Sequence, residues 1–435
     1  MIPKPPHCRY EVAIIGLGYV GIPLALGFAE AGCRTLGFDL NTDRIRQLNG
    51  GASPFQHVPA ERIAAARESR RLDFTDDKSR FADSEAIIIC VPTPLQIHLD
   101  PDLRHIVSAG EEIAPSLRAG MLVSLESSTY PGTTREDLRR VLEEKSGLRA
   151  GVDFALAFSP EREDPGNAQS VLSEMPKVVG GLTADCTERA VELYSRAVKR
   201  VVPVADCDTA EAVKLTENIF RFINIALVNE LKRIYEPMGI DIWEVVQAAG
   251  TKPFGFMPFY PGPGVGGHCI PIDPYYLTWK AREFGLDTHF IDLAGQINRA
   301  MPGYVVTRLV QALNTCARHL QGASVLVLGV AYKKDVSDDR ESPAYTVMDL
   351  IKEHGAQVDY YDPFVPTVPA HGPTDRWANH RSIVWSPETL SRYQAAVVCT
   401  AHHGVDYAQL ADCVPLIVDA CHTVPTDRKA RVVAA

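Results

Sequence analysis

The sequence predicts an α/β chain: two doubly wound parallel-sheet domains joined by a long central helix and a small helical domain. Three observations point there. Short β-branched runs recur at α/β spacing in both halves of the chain. A glycine turn, Gly16-x-Gly18-x-x-Gly21, follows the first run. An unbroken helical pattern then separates the halves.

Composition agrees. The 435 residues are 46% apolar and 23% charged, ordinary for a globular chain of two or three domains. A net charge of −10 speaks against a general nucleic-acid or membrane-surface binder, since both need a basic face. A local basic pocket for a small anion stays open. The ten cysteines show no CxxC and no regular spacing, and Cys33 and Cys90 sit in apolar runs as small core residues. No metal site is expected. Met1 to Arg9 is proline-rich and lacks the apolar core of a secretion signal, so reduced thiols in the cytoplasm are expected. No stretch of eighteen apolar residues exists, and no membrane span is expected.

Glu11 to Ile15 reads as the first strand. The turn Gly16-Leu17-Gly18-Tyr19-Val20-Gly21 follows, then a helix from Pro23 to Ala29, then a strand from Thr35 to Phe38 ending at Asp39. Gly16 permits a tight turn, Gly18 lets a pyrophosphate approach the backbone, and Gly21 lets helix and strand pack closely. The helix N-terminus, with the N–H groups of Tyr19 and Val20 beside it, offers its positive end to the phosphates. Asp39 stands where a carboxylate accepts from both ribose hydroxyls and repels a 2′-phosphate, which favours NAD over NADP. Arg44 is the first arginine after it and joins the cofactor set. This first half reads as a Rossmann-like domain, residues 1–205.

Ala86 to Val91, Met121 to Leu125 and Phe154 to Phe158 are continuous apolar runs of the kind buried in parallel sheets. They end at Pro92-Thr93-Pro94, at Glu126 to Thr133, and at Ser159-Pro160-Glu161-Arg162. Ligands of open α/β sheets bind beyond the carboxyl ends of strands, so these loops face cofactor and substrate.

Thr209 to Pro237 is helical by period, about 28 residues or 42 Å. Lys214 and Asn218, four apart, share one face. Its apolar positions spread wider than one stripe, which predicts cover from a second copy, a homodimer or a larger assembly. This region, 206–315, is the central helical domain. It contains Tyr260-Pro261-Gly262-Pro263-Gly264-Val265-Gly266-Gly267-His268-Cys269, four glycines within six residues ahead of a cysteine. Such a loop lets backbone N–H groups approach a ligand, and Cys269 is either a nucleophile or a structural thiol. His268 is its neighbour in sequence but is not assigned as its base. Asp273 would lie one turn from Cys269 if a helix began there.

A second α/β pattern fills 316–435: strands Val325 to Val330, Val358 to Tyr361, Ala395 to Thr400 and Leu416 to Asp419, with a helix Ser342 to His354. Its first turn lacks the glycine fingerprint, so it binds something other than a dinucleotide.

Together these residues resemble the UDP-glucose/GDP-mannose dehydrogenase family. The resemblance runs through Gly16-x-Gly18-Tyr19-Val20-Gly21, Ser128-Thr129-x-Pro131-Gly132-Thr133, Ser159-Pro160-Glu161-Arg162, Lys214-x-x-x-Asn218, Gly264-x-Gly266-Gly267-His268-Cys269-x-x-x-Asp273 and Lys333-Lys334-Asp335-x-x-x-Asp339-Arg340-Glu341-Ser342. It implies oxidation of a nucleotide sugar at C6 from alcohol to carboxylate with two NAD+. By the same resemblance Cys269 is the nucleophile, Lys214 the oxyanion-stabilising cation and Asn218 a further donor. Asp273 and Thr129 hold a water, and Glu161 serves thioester hydrolysis. Which carboxylate is the base at each step stays open. Lys333 is implied to contact the UDP-sugar, Arg340 the cofactor, and the Tyr260 loop to wrap the substrate. The UDP-sugar-binding domain is then 316–435. Arg162 after the glutamate and the string His268 to Tyr276 resemble the bacterial branch acting on N-acetylated UDP-hexoses, most of all UDP-N-acetylglucosamine. The galactosamine and mannosamine epimers and UDP-glucose are the alternatives. Retention of Cys269, Lys214 and Asp273 speaks against a non-catalytic sugar sensor, and the second α/β lobe against a two-domain reductase.

Overall fold

The computed structural model describes residues 2–3, 8–55, 58–96, 99–162, 172–370 and 376–435. Met1 and residues 4–7 of the proline-rich N-terminal stretch lie outside the described residues. The chain forms two compact units: Met1–Asn218 with Ile272–Asp287, and Ile219–Pro271 with Thr288–Ala435.

The first unit is built on eight strands: β1 (Val12–Ile15), β2 (Thr35–Phe38), β3 (Leu72–Thr75), β4 (Ala86–Ile89), β5 (Leu122–Leu125), β6 (Ala155–Phe158), β7 (Lys177–Gly181) and β8 (Val201–Pro203). Their order in the sheet is β3-β2-β1-β4-β5-β6-β7-β8. Every neighbouring pair is parallel except β6 and β7. Every residue of β1, β2, β4, β5 and β6 is buried, as a sheet covered on both faces requires. Alternation along β1 serves two cores: Ile14 packs with Phe28 and Leu48 on one face, while Ala13 and Ile15 pack with Phe38, Phe81 and Ile87 on the other. The chain reverses sheet direction between β1 and β4, which puts the crevice beside Gly16.

The expected strands form within one or two residues of their predicted ends. Three others carry weaker signals. β3 holds Asp73, and β8 ends in proline. β7 opens with Lys177 and closes with two glycines, a composition that argues against a strand. Those glycines are steric necessities: a Cβ on Gly180 would lie 2.0 Å from the Asp206 carbonyl oxygen, and one on Gly181 2.3 Å from the Thr187 nitrogen.

The long helix runs Cys207–Tyr235, 29 residues, two earlier at each end than its period predicts. Phe222, one of its apolar positions, is only 2% exposed, whereas Phe220, Leu227 and Ile234 are nearly half exposed.

The second unit carries β9 (Ser324–Leu328), β10 (Gln357–Tyr361), β11 (Ala395–Val398), β12 (Leu416–Asp419) and β13 (Arg431–Ala434), all parallel, in the order β10-β9-β11-β12-β13. A second long helix, His289–Thr315, precedes β9 and contains Pro302. The interior proline, which cannot donate to the Asn298 carbonyl, hid this helix from a reading by period.

The two sheets share a device at their switch points. Gly16 follows β1 with φ +91°, and an added Cβ would meet the Cys90 carbonyl oxygen at 2.5 Å. Gly329 follows β9 with φ +79°, and its Cβ would meet the Thr400 carbonyl oxygen at 2.3 Å. Each neighbouring strand ends in an aspartate, Asp39 after β2 and Asp362 after β10. Asp362 is committed internally: its carboxylate accepts from the backbone N–H groups of Val330, Ala331, Phe364 and Val365 and faces His402 Nε2 at 3.0 Å. An acid so saturated has no capacity for a ribose. Asp362 therefore does not play the part that Asp39 is placed to play in the first sheet.

Candidate active site

The glycine turn has the three distinct demands its spacing implies. Gly16 needs its left-handed φ. Gly21 has no room for a side chain, since a Cβ would fall 1.8 Å from the Gly16 carbonyl oxygen. Gly18 faces open space, with nothing within 4 Å of an added Cβ. That opening is where a pyrophosphate would meet the N-terminus of the helix Gly21–Glu30. The flanking Tyr19 ring lies 4.3 Å from Phe55, and Val20 is the N-cap. Asp39 is 9% exposed and accepts from Leu17 N, Asn41 N and Arg44 Nη1, each at 2.8 Å. Three donors leave capacity for a ribose hydroxyl, and the Arg44 ion pair steadies the carboxylate. Beyond β4, Pro92 is exposed and Thr93 buried; the Thr93 carbonyl accepts from Tyr276 Oη at 3.0 Å.

A buried charge cluster lies beyond β5 and β6. Glu161 is 7% exposed; its Oε2 accepts from Lys177 Nζ at 2.9 Å and its Oε1 from Arg162 N at 2.7 Å. Lys177 Nζ also donates to Glu126 Oε2 at 2.7 Å, and Glu126 Oε1 accepts from Tyr194 Oη at 2.6 Å. Burial, against the pull of Lys177 and with the charge of Glu161 adding, pushes the Glu126 carboxyl up to about 7. Burial works against the Lys177 charge, but the two carboxylates outweigh it and hold the ammonium above its ordinary range. Arg162 turns its guanidinium to Glu217 and to the Pro176 carbonyl.

The first turns of the long helix present Glu211, Lys214 and Asn218 on one face. Lys214 Nζ donates to the main-chain carbonyl of Glu161. Asn218 Nδ2 donates to Asp273 Oδ2 at 2.6 Å. Asp273 is 1% exposed, and burial lifts its carboxyl to about 6 against the lowering effects of Lys214, Asn218 and Ser128. The helix begins at Asp273 itself, so the spacing from Cys269 is a turn of irregular chain and not the helical turn considered from sequence. Thr129 is fully buried, but its hydroxyl bonds Thr133 while Ser128 serves Asp273. Neighbours in extended chain point to opposite sides, so one of the two faces the acid. Glu211, fully buried, accepts from Gly132 N, Thr134 N and Thr134 Oγ1 at 2.7–2.9 Å, tying the Thr129 loop to the helix that bears Lys214. Burial pushes its carboxyl up to about 8.

In the second unit the glycine loop before Cys269 is shaped by protein. Cβ atoms on Gly266 and Gly267 would each lie 2.8 Å from Tyr332, and one on Gly264 would lie 3.0 Å from Pro343. Gly266 and Gly267 thus leave room for Tyr332, next to Lys333, and Gly264 leaves room for Pro343. Gly267 N donates to the Arg340 carbonyl at 3.0 Å, while the Arg340 guanidinium forks onto Asp338. Cys269 and Lys333 are half-buried. Burial, with Arg340 adding, drives His268 down to about 4, so its ring is neutral at pH 7. Tyr260 is 49% exposed and stands edge-on to Trp243 at 6.2 Å. The start of the loop is held by a buried amide pair: Asn229 Oδ1 accepts from Gly262 N at 3.0 Å, and its Nδ2 donates to Asn298 at 2.9 Å.

Sequence reasoning missed Glu126, Lys177, Glu211 and the Asn229–Asn298 pair. A lone charged residue at a strand end or on a helix reads as solvated until its tertiary partners are known. The one available signal was position: Glu126 stands at the carboxyl end of β5, where ligands of such sheets gather.

A strand, a glycine turn open at Gly18, a helix and a strand-end acid define a dinucleotide-binding domain. The chain belongs to the UDP-glucose/GDP-mannose dehydrogenase family, whose NAD binding domain matches residues 10–198, central domain 208–300 and UDP binding domain 326–426. It is 42% identical over 357 residues to the UDP-N-acetyl-D-glucosamine 6-dehydrogenase of Pseudomonas aeruginosa, covering 82% of this chain and 83% of that one. It is 38% identical to the UDP-N-acetyl-D-mannosamine dehydrogenase of Pyrococcus horikoshii, over 82% of this chain and 84% of the relative. The solved structure of a UDP-D-ManNAc dehydrogenase from Pyrococcus horikoshii superposes with a TM-score of 0.87 at 32% identity, covering 97% and 98% of the two chains. NAD is the cofactor, and the turn at Gly16, Gly18 and Gly21 with Asp39 fits it. Among the described residues no helix is long and apolar enough to cross a membrane.

Proposed function

We propose that this protein oxidises C6 of UDP-N-acetylglucosamine to the uronic acid, consuming two NAD+ and one water. The cluster of Lys214, Asn218 and Asp273 carries the reading. It is a buried acid with a cation and an amide beside it, as proton transfer at an oxidised carbon needs. Bound NAD+ supplies the hydride acceptor for each of the two oxidations. Cys269 adds to the aldehyde as a thiohemiacetal, and its oxidation leaves a thioester. Water attacks the thioester carbon, its proton passes to Glu161, and the C–S bond breaks with its electron pair on sulfur. Lys214 steadies the oxyanions. Lys333 and the Tyr260, Gly264 and Gly266 segment serve the UDP-sugar, with Arg340 toward the cofactor and residues 1–205, 206–315 and 316–435 as the three domains.

The N-acetylglucosamine assignment rests on the His268 to Tyr276 string and on the 42% identical relative of that printed activity. UDP-N-acetylmannosamine is the second reading, favoured by the 38% identical relative. A reduced Cys269 suits the cytoplasm. Phe220, Leu227 and Ile234, seven apart on one helix stripe and nearly half exposed, support a homodimer built on that helix.

NADH absorbance against a panel of UDP-sugars tests the reading. Two NADH per sugar with UDP-N-acetylglucosamine is expected, and Cys269→Ser should release at most one per site. Full acid formation by that variant removes Cys269 from the chemistry. Preference for the mannosamine epimer moves the assignment to the second reading.

A further inference from the structure

Lys177 is the first residue of β7, and its side chain is 3% exposed. It lies between two carboxylates on neighbouring elements: Glu126 after β5 at 2.7 Å and Glu161 after β6 at 2.9 Å. Glu126 is held from its other side by Tyr194 Oη, which lies 2.9 Å from Ser124 Oγ. The ammonium also stands over the Tyr194 ring, 5.6 Å from its centroid. Ser124, Tyr194 and Glu126 thus form a rigid floor, and Lys177 stands on it.

Three buried charges are a poor stability device. Desolvation offsets most of the Coulomb gain, and an apolar trio of similar volume would hold these elements as well. What the ion cluster supplies and an apolar one could not is a fixed, charged position for Glu161. We infer that Lys177 is the positioning residue of Glu161: standing on Glu126, it fixes one oxygen of the catalytic carboxylate at the carboxyl end of β6. The inference rests on the proposed role of Glu161 as proton acceptor in thioester hydrolysis. Glu126 then serves as the counter-charge that lets a lysine be buried there. The arrangement also explains why β7 opens with a lysine in an otherwise apolar strand.

The test compares Lys177→Met with Glu161→Gln in stopped flow, with NAD+ and UDP-N-acetylglucosamine or whichever sugar the panel selects. Lys177→Met should keep a rapid burst of about two NADH per site, since neither oxidation needs Glu161. Steady-state kcat should then fall on the order of a hundredfold with KM within a few-fold, because hydrolysis has lost its oriented base. Lys177→Arg, which keeps charge and donors, should recover most of the turnover. Lys177→Met removes one partner of a buried ion pair and can unfold the chain. The double variant Lys177→Met/Glu126→Gln removes a charge of each sign, and should recover the wild-type melting temperature without recovering turnover. Steady-state turnover near wild type in either folded variant overturns the inference if Glu161→Gln stalls after the burst. A burst lost together with turnover assigns Lys177 a general structural role and also overturns it. Normal turnover in Glu161→Gln removes the reading on which it stands, and is distinguished by that variant alone.

Discussion

Replacing Asp273 by Asn should stabilise the protein while disabling it. The side chain is 1% exposed, and burial lifts its carboxyl from 3.8 to about 6. A carboxyl raised in the folded state binds its proton more tightly there than in the unfolded chain. Its favourable contribution is complete below pH 4 and is lost as pH rises through 6. Above that the native state holds an ionised group at a cost of about 3 kcal/mol, from a shift of roughly two units at 1.36 kcal/mol each. Asparagine imitates the neutral acid at every pH. Its carbonyl oxygen can accept from Asn218 Nδ2, and its amide can donate to the Ser128 hydroxyl, which reverses its role. The attraction of Lys214 is already contained in the net upward shift. The expected gain is therefore up to about 3 kcal/mol at pH 8 and about half that at pH 5, or roughly 1–2 °C of melting temperature per kcal/mol for a chain of this length. Thermal scans at both pH values would show it, and kcat should fall on the order of a hundredfold or more. A lower melting temperature at pH 8, or a difference indifferent to pH, would refute the argument that desolvation dominates at this acid.

Three further outcomes can be checked. Asp39→Ala releases Arg44 from its partner, so the ratio of kcat/KM for NADP+ over NAD+ should rise at least tenfold, and an unchanged ratio would show that Asp39 does not discriminate. Asn229→Leu strands Gly262 N and the Asn298 amide, each costing about 1–3 kcal/mol. The denaturation midpoint should drop and KM for the UDP-sugar should rise, whereas an unaltered midpoint would mean the amide pair is dispensable. Light scattering should find a dimer that Leu227→Glu dissociates; a wild-type monomer at micromolar concentration would reject assembly through that stripe.

Much of the dinucleotide half was legible because local and tertiary demands coincide there. Gly16 and Gly21 each answer a steric condition that spacing alone implies, Gly18 opens onto free space, and apolar runs such as Ala86–Ile89 are buried in the parallel sheet they suggest. Lys214, Asn218 and Asp273 were singled out, and the fold does bring them together. What stayed hidden depends on contacts far apart in the chain. Lys177 meets Glu126 across 51 positions and Glu211 meets Gly132 across 79, and no local pattern reports such pairs. Two of the loop glycines before Cys269 also meet a demand that spacing does not report, since a Cβ on Gly266 or Gly267 would run into Tyr332. The helical period alone does not separate Phe222, which is buried, from Phe220 and Leu227, which are exposed.

The interrupted first unit has a consequence for how the chain is made. Its last strand, β8, is complete at Pro203, yet Asp273 and Tyr276 arrive with the helix Asp273–Glu283, after a segment that belongs to the other unit. Tyr276 is fully buried and anchored on the Thr93 carbonyl. At 5–20 residues per second, a ribosome needs about 4–16 s to add the roughly 80 residues between that strand and the end of that helix. During this interval the nascent sheet must wait with the berth of Tyr276 uncovered. For the same reason no single cut between 218 and 272 yields a self-contained N-terminal fragment. Expression of residues 1–218 alone should give a chain that precipitates or recruits chaperones, and supplying 272–287 should relieve it.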